Sequence, residues 1–258
     1  MANGVIVGVD GSPGGVRAMD WAAREAAARR VPLHVVVAET TSDGELGPRV
    51  LEQATARAAG REPELTVTGA VWPDPPAAAL LGGAAEADLL VVGRSGRGSR
   101  VGMHLGSVPV SVIRHAPCPV TVVAGSPTGA PPRWDGDVLV GIDGSAHDPD
   151  VLAAAFAAAT CRDGRVTVVH APAPGDDDAG RGLIDAALAD WTPRFPDVEA
   201  TGRVVREGPI RALGALSQGA ALLVLGAVGR AGFPSMLLGS VPRALAGQAA
   251  CPVLVVRN

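Results

Sequence analysis

Short runs of valine, isoleucine and leucine recur along the chain, separated by longer alanine-rich stretches whose apolar positions fall three and four residues apart. An unbroken apolar run of four to eight residues fits a strand buried on both faces, and such strands belong to parallel sheets covered by helices. Read this way, the first half carries strands near 4–9, 33–38, 65–71, 89–93 and 120–124, and the second half near 137–142, 166–170, 198–205, 222–226 and 253–257. Between them, Val16, Met19, Ala23 and Ala26 recur at helical spacing, as do Val151, Leu152, Ala155, Phe156 and Ala159. Asp148 and Asp150 open the second of these helices and suit its positive end. Five β strands joined by right-handed helical crossovers make an open parallel α/β sheet, whose ligands are expected at the carboxyl ends of the strands.

The chain also repeats itself. VIVGVDGSPGG from Val5 returns as VLVGIDGSAHD from Val138, an offset of 133 residues. The same offset carries LLVVGRSG at Leu89 onto LLVLGAVG at Leu222, LGSVP at Leu105 onto LGSVP at Leu238, and APCPVTVV at Ala116 onto AACPVLVV at Ala249. No net insertion separates these landmarks, so one fold is present twice. Residues 1–125 form the first domain, 126–136 a linker and 137–258 the second domain; the glycines and prolines of GSPTGAPPRWDG, from Gly125, fit an exposed connection.

Composition narrows the function. At 258 residues the chain suits two domains of ordinary size, and 47% hydrophobic with 19% charged residues permits buried cores. Every basic Lys-or-Arg position is arginine. That excludes a Walker A lysine and Schiff-base chemistry. A net charge of -4 offers no broad cationic field, so no nucleic acid partner is expected. The first ten residues lack the pattern of a secretory signal, and no apolar run reaches the roughly 18 residues of a membrane span. The expectation is a cytoplasmic protein with no membrane association. Cys118, Cys161 and Cys251 show no CxxC spacing and read as small buried side chains, with neither a disulfide framework nor a metal site.

The chemistry lies in the loops that follow the fourth strand of each copy. Gly93 and Gly96 are followed by nine residues and then Gly106 and Ser107; Gly226 and Gly229 by nine and then Gly239 and Ser240. A strand ending in glycine can turn sharply, the next glycine leaves backbone N–H groups open to a ligand, and the Gly-Ser pair opens a helix where oxyanions bind readily. Ser107 and Ser240 stand where a helix N-cap is expected; their hydroxyls can cap or can donate to a phosphate oxygen. Pro109 and Pro242 fall in the first helical turn, where a missing N–H does little harm.

This GxxG, nine residues, G[ST] arrangement resembles the nucleotide loop of ATP-binding universal stress proteins. The resemblance covers nearly the whole chain and includes the VGVDGS and VGIDGS openings, the ADLLVVG approach from Ala87, and the CPV entry to each last strand. It implies two tandem Rossmann-like domains of the adenine nucleotide alpha hydrolase type. It also implies ATP as the ligand, with Mg2+ or Mn2+ able to accompany the triphosphate, and a regulatory role in stress or dormancy. Carried over by position, Asp10 and Asp143 look like acids close to the ribose and adenine, although an Asp-Gly-Ser sequence is also an ordinary turn former. The backbones of Ala38 and Ala171 match positions at the adenine edge. Gly93, Gly96, Gly106, Ser107 and Val108 match the phosphate cradle, as do Gly226, Gly229, Gly239, Ser240 and Val241.

The two loops differ. The first holds Arg94, Arg97, Arg100 and His104, and the second Arg230 with Phe233, Met236, Leu237 and Leu238. Arginines near a triphosphate would offset its charge, whereas solvated and distant ones would not. His115 near a helix end and His170 at a strand end belong to no ligand cluster, and no catalytic grouping is evident. A nucleotide-dependent regulator is therefore the leading expectation. A slow ATP-hydrolysing or phosphoryl- or nucleotidyl-transferring enzyme, and an interaction module with vestigial pockets, are the alternatives. The last strands resemble those that pair domains in this family, which implies an intramolecular pseudo-dimer and, between chains, a homodimer.

Overall fold

The structure is a computed structural model that describes residues 4–39, 45–97, 105–123, 132–173, 175–230 and 237–257. The chain divides into two compact units, Met1–Pro132 and Arg133–Asn258. In the first, β1 (Val5–Val9), α1 (Pro13–Arg29), β2 (Leu33–Ala38), α2 (Leu46–Arg61), β3 (Val67–Trp72), α3 (Pro76–Gly83), β4 (Leu89–Gly93), α4 (Ser107–His115) and β5 (Val120–Val123) follow in order. The second repeats the series as β6 (Val138–Ile142), α5 (Asp148–Thr160), β7 (Val166–His170), α6 (Asp177–Trp191), β8 (Ala200–Val204), α7 (Pro209–Leu216), β9 (Leu222–Gly226), α8 (Ser240–Gln248) and β10 (Val253–Val256).

Within the first unit the strands lie in the order β3-β2-β1-β4-β5, and in the second in the order β8-β7-β6-β9-β10. The pairings within each unit are parallel. The order reverses between β1 and β4, and again between β6 and β9, so each unit has a switch point where the connections leave in opposite directions. Helices cover both faces. Val7, Val35 and Gly69 share one face by register, and Gly69 looks onto Leu51 of α2; Gly8, on the other face, looks onto Leu80 of α3.

The central strands β1, β4, β6 and β9 are buried almost throughout. Each fully buried valine or leucine contributes about 1.5–3 kcal/mol of transfer free energy, which is why the sequence shows apolar runs there. The edge strands β3 and β8 are each exposed at three positions and fully buried at none, and their bounds depart from the expected 65–71 and 198–205. Position 124, expected to end the fifth strand, lies outside the described residues.

Two expectations fail in detail. Val16 does not belong to the core face of α1 and is 37% exposed, whereas Met19, Ala23 and Ala26 are buried. Trp134, inside the stretch read as an exposed linker, is buried beneath the Arg162 guanidinium, whose carbon stands 4.4 Å from the ring centre. The aromatic face lets the linker end pack against the second unit.

Candidate functional site

Asp10 follows β1 at the switch point, and each oxygen of its carboxylate accepts a backbone N–H. Oδ1 accepts the N–H of Ser12 at 3.0 Å, and Oδ2 accepts the N–H of Arg97, 87 residues along the chain, at 2.7 Å. One short side chain thus ties the β1–α1 turn to the loop after β4. The second unit does the same with Asp143, which accepts from Ser145 at 3.2 Å and from Arg230 at 2.7 Å. Both aspartates are turn formers, and both also border a cavity.

This staple explains the second glycine of each loop. A Cβ built on Gly96 would collide with Asp10 Oδ2, and one on Gly229 with Asp143 Oδ2. The expected reason for glycine was ligand access to the backbone; the structure adds a steric one, the close approach of the carboxylate. Gly93 is equally constrained in the first unit, where an added Cβ would stand 2.7 Å from the Gly14 carbonyl oxygen of α1. Its counterpart Gly226 is not, because its nearest neighbour, Val151, is 3.4 Å away, and Gly14 is replaced by His147.

Each loop is closed at its neck by a backbone bond, Gly106 to Arg94 at 2.9 Å and Gly239 to Ala227 at 2.7 Å. The helices α4 and α8 then begin at Ser107 and Ser240. The serines are not the caps: Gly106 and Gly239, in extended conformation, occupy the N-cap, and no side chain bonds to either helix start. The cap falls one residue earlier because Gly106 and Gly239 are still extended and bonded across the neck. Both serine hydroxyls are left at the cavity wall, with first-turn amides that no side chain caps.

All the sequence-predicted site residues of the first copy, Asp10, Ala38, Gly93, Gly96, Gly106, Ser107 and Val108, border one cavity of about 430 Å³. All those of the second, Asp143, Ala171, Gly226, Gly229, Gly239, Ser240 and Val241, border another of about 290 Å³. Small-molecule sites run from roughly 300 to 1,000 Å³, so the first is comfortably of that size and the second marginal. Of the loop arginines, Arg97 borders the first cavity, whereas Arg94 does not; Arg230 does not border the second. Arg100, His104, Phe233 and Met236 lie outside the described residues.

Sequence reasoning missed Asp148 as a site residue, treating it only as a helix-start acid. It stands at the offset of Gly15, is 9% exposed and borders the second cavity. Its carboxylate accepts from Gly144 N–H at 2.7 Å and Asp143 N–H at 3.3 Å, and from the Ser145 hydroxyl at 3.3 Å. Burial pushes its pKa above the ordinary 3.8, Asp143 nearby adds to this, and the backbone donors oppose it. The first unit instead caps α1 with Ser12, whose Oγ accepts the Gly15 N–H at 3.0 Å. The second cavity therefore carries a carboxylate where the first has a bare glycine.

The remaining candidates stand apart. His115 bonds through Nδ1 to the Ser111 carbonyl at 2.9 Å in the last turn of α4, and His170 through Nδ1 to the Ile142 carbonyl at 2.9 Å. Cys118 and Cys251 are buried, but Cys161 is only partly so. Among the described residues no cluster of three or more His, Cys, Asp or Glu is placed to hold a metal ion, and no helix is long and apolar enough to cross a membrane.

Comparison with known proteins agrees with this duplicated architecture. The chain is 34% identical over 290 aligned residues to universal stress protein Rv2623 of Mycobacterium tuberculosis, an alignment spanning 99% of this chain and 96% of that one. It is 33% identical to a universal stress protein of Mycolicibacterium smegmatis, over 98% of this chain and 97% of its relative. Among solved structures, a universal stress protein of Archaeoglobus fulgidus matches the fold with a TM-score of 0.69 at 18% identity, covering 100% of this chain and 97% of its own. The profile of the Universal stress protein family matches residues 1–124 and again 136–257, so the chain belongs to that family, with one family domain in each half.

Proposed function

We propose that the protein binds ATP in its two cavities and acts as a nucleotide-dependent regulator in the cytoplasmic response to stress or dormancy. The observation that carries this reading is the twofold recurrence, at one offset, of the same residues around a cavity at the carboxyl ends of the strands. Uncapped first-turn amides of α4 and α8, together with the Ser107 and Ser240 hydroxyls, suit phosphate oxygens. Arg97 supplies a cation beside the first cavity, and Mg2+ or Mn2+ accompanying the triphosphate would supply more. The nucleoside then extends past Asp10 toward Ala38, and in the second unit past Asp143 toward Ala171.

Calorimetric titration of the purified chain with ATP tests the reading, together with mass spectrometry of small molecules released on denaturation. Gly96→Ala is expected to abolish binding to the first cavity and Gly229→Ala to the second, since each displaces the carboxylate that holds its loop. Parent protein that binds no adenine nucleotide would refute the proposal. Light scattering tests the associated expectation of a homodimer; a monomer throughout the working concentration range would remove it.

A further inference from the structure

The first cavity contains an acceptor that the loop chemistry does not use. Glu39 directly follows β2, and its Oε1 is buried with no hydrogen-bond donor among the described residues. Its Oε2 packs against the first turn of α2, where a Cβ built on Gly47 would stand 2.5 Å away, so Gly47 makes room for the carboxylate. Both residues border the cavity, next to Ala38. The Glu39 backbone N–H is already committed to the Trp72 carbonyl at 2.9 Å, which fixes the residue at the end of the β2–β3 ladder. A buried carboxylate oxygen without a donor is costly, and a ligand that brings a donor to it gains accordingly.

Position then identifies the donor. The strand order β2-β1-β4 puts Glu39 on the far side of β1 from the glycine loop and the start of α4. Two strand spacings, roughly 10 Å, separate these ends of the cavity. With phosphates held at the α4 end, the group that reaches β2 is the base. Resting on the nucleotide reading above, we infer that Glu39 is a specificity-determining residue which accepts a hydrogen bond from the exocyclic amine of a 6-aminopurine and rejects 6-oxopurines. An oxo group there would set one acceptor against another, and such repulsion discriminates more sharply than lost attraction. The second unit has Pro172 at this offset, and Pro172 does not border its cavity. The discrimination is a property of the first site alone.

The test is calorimetry with ATP, ITP and dATP on the full chain carrying Gly229→Ala, which leaves the first site to be measured by itself. Glu39→Gln keeps the shape but offers an amide that can donate to O6. It is expected to reduce the ATP-over-ITP preference by tenfold or more, mainly through tighter ITP binding. Glu39→Ala, a second variant, removes both the acceptor and the repulsion, so it should weaken ATP and let ITP gain less than in Glu39→Gln, where O6 also meets a donor. An ATP-to-ITP ratio unchanged within twofold in Glu39→Gln, while ATP still binds, would overturn the inference and leave the nucleotide reading standing. A change confined to the ATP-to-dATP ratio would also overturn it, because the donor would then be a ribose hydroxyl. Failure of the parent chain to bind any of the three would remove both readings together.

Discussion

Replacing Asp10 with asparagine tests the claim that one carboxylate holds the first loop in place. Both oxygens accept backbone N–H groups, at 3.0 Å from Ser12 and 2.7 Å from Arg97. Asparagine has a single acceptor oxygen, so its amide must face one of these donors with a donor of its own. The shorter bond, to Arg97, is the one expected to keep the oxygen, and it loses the charge assistance. Hydrogen bonds to charged groups contribute about 1.5–3 kcal/mol, and the partial exposure of this pair places the loss near the lower end. At 1.4 kcal/mol per tenfold, local opening of the turn and loop should rise by roughly tenfold. Amide hydrogen exchange, followed at Ser12 and Arg97, reads this directly, with the β4 amides as an internal reference that should not move. ATP affinity should fall in parallel, because the glycine loop would spend less time in its closed form. Unchanged protection at both amides in Asp10→Asn would refute the staple, whatever happened to binding.

The two copies supply further contrasts. Gly93→Ala places a methyl group 2.7 Å from a backbone oxygen of α1 and should cost about 1–3 kcal/mol in denaturant unfolding. Gly226→Ala meets nothing closer than 3.4 Å and should stay within about 1 kcal/mol of the parent; equal losses would contradict the looser packing of the second loop. For Asp148, whose folded pKa lies above its ordinary 3.8, the native state holds the proton more tightly than the unfolded chain does. Its stabilising contribution is complete below that ordinary value and is lost as pH rises through the folded value. Denaturation of parent and Asp148→Asn chains across the acid range should therefore show the parent losing ground to the variant as pH rises, and a pH-independent difference would count against it. Burial pushes the Cys118 thiol up to about 11, so alkylation near pH 8 should label Cys161 well before Cys118, and denaturant should abolish the difference.

The sequence made the interior of each sheet easy to read. β2, β4, β7 and β9 have the expected bounds, because strands covered on both faces are built mainly from apolar residues, with His34, Thr167 and His170 at their half-buried positions. Edge strands gave a weaker signal: β8 begins at Ala200, while Val198 reaches the core from the preceding turn, where its N–H bonds the Phe195 carbonyl. Apolar character there marked a buried side chain and did not mark a strand. The cavity residues were legible because they recur, but the bonds among them were not. Asp10 and Arg97 are 87 positions apart, and which backbone amide a carboxylate reaches is decided by how closely two loops approach.

Divergence between the copies falls where it changes chemistry while sparing the frame. The staple is common to both units, with Arg97 and Arg230 donating the same backbone bond at the same 2.7 Å. Around it, the residue facing the turn changes from Gly15 to Asp148, and the residue after Ala38 or Ala171 changes from Glu39 to Pro172. The first change adds a negative charge beside Asp143 in the smaller cavity, and the second removes one from the base end. Near its turn the second cavity is bordered by the carboxylates of Asp143 and Asp148, whereas the first is bordered by Asp10 and Arg97, with Glu39 at its other end. Both cavities are bordered by net negative side chains, the second by one more charge than the first, so a polyanion is expected to bind the second more weakly. Two sites built on one backbone would then fill at different concentrations of the same nucleotide, so the duplicated domain would respond over a wider range than either copy alone.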